Sequence, residues 1–229
     1  MAVLEGGTSG VLTEVGQAAF SAMHVTLKPL APSSSLGAYR VAATTGTLAA
    51  ALAASAQLFY LRWTDATRFC VIHRFRAEFQ PLTPFTAATL TDFGFDLHKA
   101  TAVSAGGGGT DLGASAKTKM RTSMGASLTD STGLMRIATT AGLTAVTTLD
   151  ALPIAQSVGD TQRVNPAAAT EEVFVNNPAL EYVANMAAGE YPLVLAQNEG
   201  LVLRNRTVWP AAGTGLVTVQ MSWSEVAAF

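Results

Sequence analysis

The chain has 229 residues, 14 of them basic and 16 acidic, for a net charge of −2. That length suits one domain with a core large enough to fold without covalent staples. A single cysteine, Cys70, excludes an internal disulfide framework, and the balanced charge offers no field to draw nucleic acid or an anionic membrane.

Charged residues are only 13% of the chain, about half the usual share, and 41 Ala and 28 Thr take their place. Such a composition fits a surface that meets a partner, and it fits equally an Ala-rich coding bias. Met1 to Phe20 is apolar and glycine-rich, with no basic stretch leading into an apolar core, so no signal peptide is expected. It reads as an N-terminal arm, either a tail or a segment that orders on a partner. Val3, Leu4, Val11 and Leu12 are its candidate contact residues. Residues 21–229 then form a single domain.

The first strand candidates are Met23–Leu27, Tyr39–Thr44 and Gln57–Trp63. Val41 to Leu61 carries no charge over 21 residues. Its apolarity comes from Ala and is broken by Thr44, Thr45, Gly46, Ser55 and Gln57, so it does not read as a membrane span. Leu48 to Ala56 fits a short helix or a packed extended segment.

Arg68 to Gln80 gives the clearest pattern. Phe69, Val71, His73, Phe75, Ala77 and Phe79 alternate with Arg68, Cys70, Ile72, Arg74, Arg76, Glu78 and Gln80. Period two predicts a long strand with the first set buried, Phe69, Val71, Phe75 and Phe79 sharing one face and Arg74 and Arg76 the other. Phe93, Phe95 and Leu97 repeat the pattern. Leu134–Thr139, Leu193–Ala196, Leu201–Arg206 and Val217–Ser224 follow, with turn signals at Pro29–Pro32, Thr64-Asp65, Pro81–Pro84, Asn176–Pro178 and Asn198–Gly200. Short strands with hardly a helix predict an all-β fold: an antiparallel β-sandwich, jelly-roll-like, with long loops and little helix. The two long loops are Ala105–Met124 and Asp150–Glu190.

Chemistry is sparse. Gly106–Gly109 with Lys117-Thr118 suggests a phosphate loop, but Asp111 and Ala116 occupy the positions where that motif needs glycine. The run reads instead as a surface loop. Asp96 and His98 would share a strand face and could form a two-ligand metal site, although no metal or other cofactor is expected. Cys70 reads as a buried, inert thiol. Asn205-Arg206-Thr207 fits the glycosylation sequon by chance. Nothing points to catalysis. Lys117, Lys119 and Arg121, with Met120 and Met124, form a basic and apolar cluster, either a docking arm or a solvated loop.

The C-terminal stretches Leu195-Ala-Gln-Asn-Glu-Gly-Leu-Val-Leu-Arg204 and Val217-Thr-Val-Gln-Met-Ser-Trp-Ser-Glu225 resemble the closing strand pair of virion structural proteins of tailed bacteriophages. Gly37-Ala-Tyr-Arg-Val41, the turn Arg62–Arg68 and Met120-Arg-Thr-Ser-Met-Gly125 extend the resemblance. It implies a sandwich or jelly-roll subunit of the virion, assembled in the bacterial cytoplasm. Its partners would be itself, as a homotrimer or larger, and the major capsid protein, in a decoration or cement role. A tail, neck or fibre component is the alternative within that family. A carbohydrate-binding sandwich is the alternative outside it, with Trp209, beside Pro210, the one tryptophan expected to be exposed.

Overall fold

The computed structural model describes residues 3–6, 11–14, 37–83, 85, 92–104, 106–144, 147–159, 179–185 and 190–227. The chain divides into two compact units, Met1–Ala31 and Pro32–Phe229; the boundary expected after Phe20 lies outside the described residues. In the first unit β1 (Val3–Gly6) pairs antiparallel with β2 (Val11–Glu14). The strand expected at Met23–Leu27 lies outside the described residues.

The second unit holds β3 (Ala38–Thr44), β4 (Gln57–Arg62), β5 (Phe69–Thr83), β6 (Phe95–Val103), β7 (Thr110–Asp111), β8 (Lys117–Lys119), β9 (Met135–Ile137), β10 (Thr147–Leu149), β11 (Ala155–Gln156), β12 (Ala179–Val183), β13 (Leu193–Leu195), β14 (Gly200–Asn205) and β15 (Thr214–Val226). One sheet runs β12–β5–β15–β3–β8, with β13 also on β5. The other runs β10–β6–β14–β4–β9–β7, with β11 also on β6. Every pairing is antiparallel.

Successive long strands alternate between the sheets. β3 and β5 lie in the first, β4 and β6 in the second, and all four take their partners from the end of the chain. β15 lies between β3 and β5, and β14 between β4 and β6. β10 and β11 then edge the second sheet beside β6, while β12 and β13 edge the first beside β5. That connectivity is a jelly roll, as expected from the run of short strands. The excursion between β6 and β10 adds β8 to the free edge of β3 and β9 to that of β4. β7 and β8 lie where the sequence suggested the loop Ala105–Met124, and β9 lies within the strand expected at Leu134–Thr139.

The inner faces interdigitate as the alternation predicts. Tyr39, Val41, Phe75, Ala77, Phe79, Val217, Val219, Met221 and Trp223 face Phe59, Leu61, Phe95, Leu97, Leu201 and Leu203, all buried. Each such large side chain contributes about 1.5–3 kcal/mol of transfer free energy on full burial. At one end Phe79, Phe85, Phe93 and Trp209 form an aromatic cluster with ring centroids 4.7–5.9 Å apart. Trp209 is only 1% exposed, which overturns its expected exposure. Its neighbour Pro210 lies in a connection that folds back over the core, where Trp209 N–H donates to the Leu52 carbonyl.

β5 departs from the alternation at one point. Ser222 pairs with Arg74, but Trp223 pairs with Ile72, so His73 is an extra residue. Such a bulge reverses the facing of everything beyond it. Cys70 and Ile72 therefore enter the core with Trp223, and Phe69 and Val71 turn to the opposite side. Phe75 and Phe79 lie inward with Arg74 and Arg76 outward, as predicted, whereas Phe69 and Val71 do not share their face. His73 leaves the core side as well and hydrogen-bonds Ser224 Oγ at 2.9 Å.

Leu48 to Ala56 forms no helix. Leu48 bridges Gly215, and Ala51 and Ser55 adopt left-handed backbone at φ 57° and 59°, which ends any helical continuation. The stretch Asp150–Glu190, read as loop, contains β11 and β12, and residues 160–178 within it lie outside the described residues.

Candidate functional site

The contact residues expected from sequence fall in both units of the chain. Val3 and Leu4 lie on β1, and Val11 and Leu12 on β2; their side chains lie outside the described residues. Lys117 to Lys119 is a strand rather than a loop. Its pairing places Lys117 opposite Val41 and Lys119 opposite Tyr39, so Lys117 points to the inner side. The Lys117 side chain is 2% exposed, and its ammonium donates to the Thr129 carbonyl at 2.5 Å beside Asp130 at 3.4 Å. Burial lowers its pKa from the usual lysine value, opposed by Asp130. Lys117 is thus neither a docking arm nor a solvated charge, whereas Lys119, Met120 and Arg121 are exposed.

The other motifs singled out in the sequence prove to be fold-building. Asp65 Oδ1 accepts from Thr67 N–H, Thr67 Oγ1 and Arg68 N–H, and Trp63 Nε1 donates to the Arg68 carbonyl at 2.8 Å. Those contacts fix the turn Arg62–Arg68. Asn198 takes φ 66° in the turn before β14. Glu225, 1% exposed, accepts from Ser127 Oγ at 2.6 Å, Leu128 N–H and Trp223 Nε1. Burial raises its pKa from the usual carboxyl value. Asn205 is fully buried and its Nδ2 donates to the Ala53 and Thr207 carbonyls, so the sequon nitrogen is occupied. Gly106–Gly109 is a packed turn rather than a free loop: a Cβ at Gly109 would meet the Ile137 carbonyl at 2.2 Å.

Asp96 and His98 do share one face of β6, with His98 Nε2 3.8 Å from Asp96 Oδ2. Asp96 is already engaged by Arg204 at 3.5 Å, Arg206 at 3.6 Å and Gln156 Nε2 at 3.0 Å. Guanidinium groups occupy the places a cation would take, so the pair is an ionic clamp between β6, β14 and β11 rather than a metal site. His98 donates from Nδ1 to the Asp150 carbonyl at 3.1 Å, which ties the next connection to the same clamp. Among the described residues no group of three or more His, Cys, Asp or Glu side chains could hold a metal.

A different place carries exposed, unsatisfied chemistry: the outer face of the first sheet. Strand register puts Thr118, Arg40, Ser222, Arg74 and Val183 in one row across five strands. The next row is Ala42, Gln220, Arg76 and Glu181. Short residues between long arginines leave a groove of about 430 Å³ over the β3–β15 strand pair, flanked by Arg40 and Arg74. Arg74 pairs with Glu181 at 2.5 Å, both side chains half exposed, and Arg76 pairs with Glu78. The Arg40 side chain makes no hydrogen bond or ion pair among the described residues. Sequence reasoning assigned Arg74 and Ser222 to polar faces, yet alternation alone could not show that both meet Arg40; that needs the register. Comparison with protein-family models, curated proteins and solved structures finds nothing similar to this chain.

Proposed function

We propose that this chain is a non-enzymatic structural subunit of a tailed-bacteriophage particle, standing on the head shell as a decoration or cement protein. The observation that supports the reading best is the jelly-roll connectivity of the second unit, an architecture that viral shells use. Lectins and cupins share it, and fold alone does not assign function. The carbohydrate-binding alternative loses its aromatic candidate, because Trp63, Trp209 and Trp223 are all buried. What the fold presents instead is a broad sheet face whose groove is lined by Arg40 and Arg74.

In this reading each copy makes a modest contact with the shell and with its neighbours, and symmetry multiplies the sum. Self-association as a trimer or larger belongs to the same proposal. The test is the copy number of the chain in purified particles, by quantitative mass spectrometry against the most abundant protein. A simple ratio to the shell protein supports the head location. A few to a few dozen copies move the chain to the tail or neck, and absence from particles defeats the reading.

A further inference from the structure

Arg40 and Arg74 both stand opposite Ser222, one strand to either side. Neighbouring strands lie about 4.8 Å apart, so the two Cα atoms are separated by roughly 10 Å and both guanidinium groups can reach a group seated above Ser222. Ala42 and Thr118 are short and keep the approach open, and the Gln220 amide adds a further polar group. Arg74 is held from the far side by Glu181, while among the described residues no carboxylate pairs with Arg40. The row therefore presents more positive charge than its own described acids neutralise.

We propose that this groove receives a single carboxylate, that of an acidic side chain on a protein partner; the identity of the partner as the shell rests on the reading above. A carboxylate accepts paired N–H bonds from a guanidinium fork, which a point charge would not exploit. Glu78 and Glu181 on the same face repel a polyanion, as does the net charge of −2, so one carboxylate is favoured over a phosphate chain. An acidic sugar offers the same carboxylate, but the groove lining contains no aromatic ring for a sugar to lie on.

The test titrates the full chain with Gly-Glu-Gly blocked at both termini, with blocked Gly-Gln-Gly, with glucuronate and with inorganic phosphate, following the arginine side-chain NMR signals. The blocked glutamyl peptide is expected to move the Arg40 and Arg74 signals. Arg40→Ala and Arg74→Ala each weaken its binding at least tenfold while the thermal melt stays unchanged. Equal response to the Gln peptide, or binding unaltered in both variants, overturns the site. Tenfold tighter binding of glucuronate or phosphate overturns the protein source. In particles, Arg40→Glu with Arg74→Glu lowers the copy number at least tenfold. Undiminished incorporation sinks the groove and leaves the shell reading standing. If the unaltered chain is itself absent from particles, the shell is not the partner and the titration decides the groove.

Discussion

Replacing Trp209 by alanine removes the ring about which Phe79, Phe85 and Phe93 are arranged, at centroid distances of 5.1, 5.7 and 5.8 Å. The cavity is lined by rigid phenyl rings that cannot collapse far, so the cost is about 4 kcal/mol. With a urea slope of about 2 kcal/mol per molar, the unfolding midpoint falls by roughly 2 M. Trp209→Phe behaves differently. The indole N–H is buried without a hydrogen-bond partner among the described residues, and deleting an unsatisfied buried donor recovers about 1–3 kcal/mol. The smaller ring forfeits a similar amount, at about 0.8 kcal/mol per buried CH₂ equivalent, so the phenylalanine variant stays within about 1 kcal/mol of the parent. Urea unfolding followed by far-ultraviolet circular dichroism measures both without relying on tryptophan emission. A phenylalanine variant as unstable as the alanine one would show the indole nitrogen to be bonded. An alanine variant costing under about 1 kcal/mol would mean a solvent-facing ring and would restore the carbohydrate reading's best residue.

Burial raises the Glu225 carboxyl pKa from 4.5, so the native state keeps a proton that the unfolded chain releases. The stability it contributes is complete below about pH 4.5 and is lost as pH rises through the folded-state pKa. Glu225→Gln keeps an oxygen for Ser127 and Leu128 and removes that loss, so denaturant unfolding from pH 4 to 8 should diverge from the parent above about pH 4.5 and level off once the native carboxyl ionises; profiles parallel throughout refute the assignment. His73, lowered by burial from 6.5, adds the opposite slope below that pH and cancels in the comparison. Lys117→Ala costs about 2–3 kcal/mol by breaking a charged hydrogen bond, against under about 0.5 for the exposed Lys119→Ala; thermal melts giving equal losses would contradict the burial of Lys117. Cys70, fully buried with its pKa raised well above 9, should react with a thiol reagent only as fast as the protein unfolds. Rapid labelling of folded protein would refute that.

How far the sequence could be read depended on whether neighbours along the chain settled the question. Phe75, Ala77 and Phe79 alternate with charged residues, so their facing is determined locally. Val71 and Ile72 are both apolar, and either could face inward. The bulge at His73 decides between them, and it arises from the pairing with β15. Lys117 looked solvated because the carbonyl that receives it belongs to Thr129, in a 3₁₀ turn twelve residues on, capped by Ser127 and Asp130. Trp209 looked exposed because Pro210 marks a loop, while the rings enclosing it come from β5 and from the segment before β6. The groove was least legible: Arg40, Ser222 and Arg74 come from three strands far apart in the chain, and their meeting is a property of register alone.

The connectivity also sets an order in time. β3 closes on β15, and the Thr44 and Thr218 hydroxyls meet at 3.1 Å across 174 residues of chain. β4 and β6 likewise wait for β14, and β5 for β15. In the second unit β3, β4, β5 and β6 find edge partners earlier, but each lacks its inner neighbour until β14 and β15 follow. Non-local pairing of this kind folds slowly and leaves strand edges open meanwhile. A nascent chain stopped before Thr214 holds half of a sheet with its central strand missing, not a smaller finished sandwich. Folding of this domain waits for β15 to be made, and a product truncated before it exposes open strand edges.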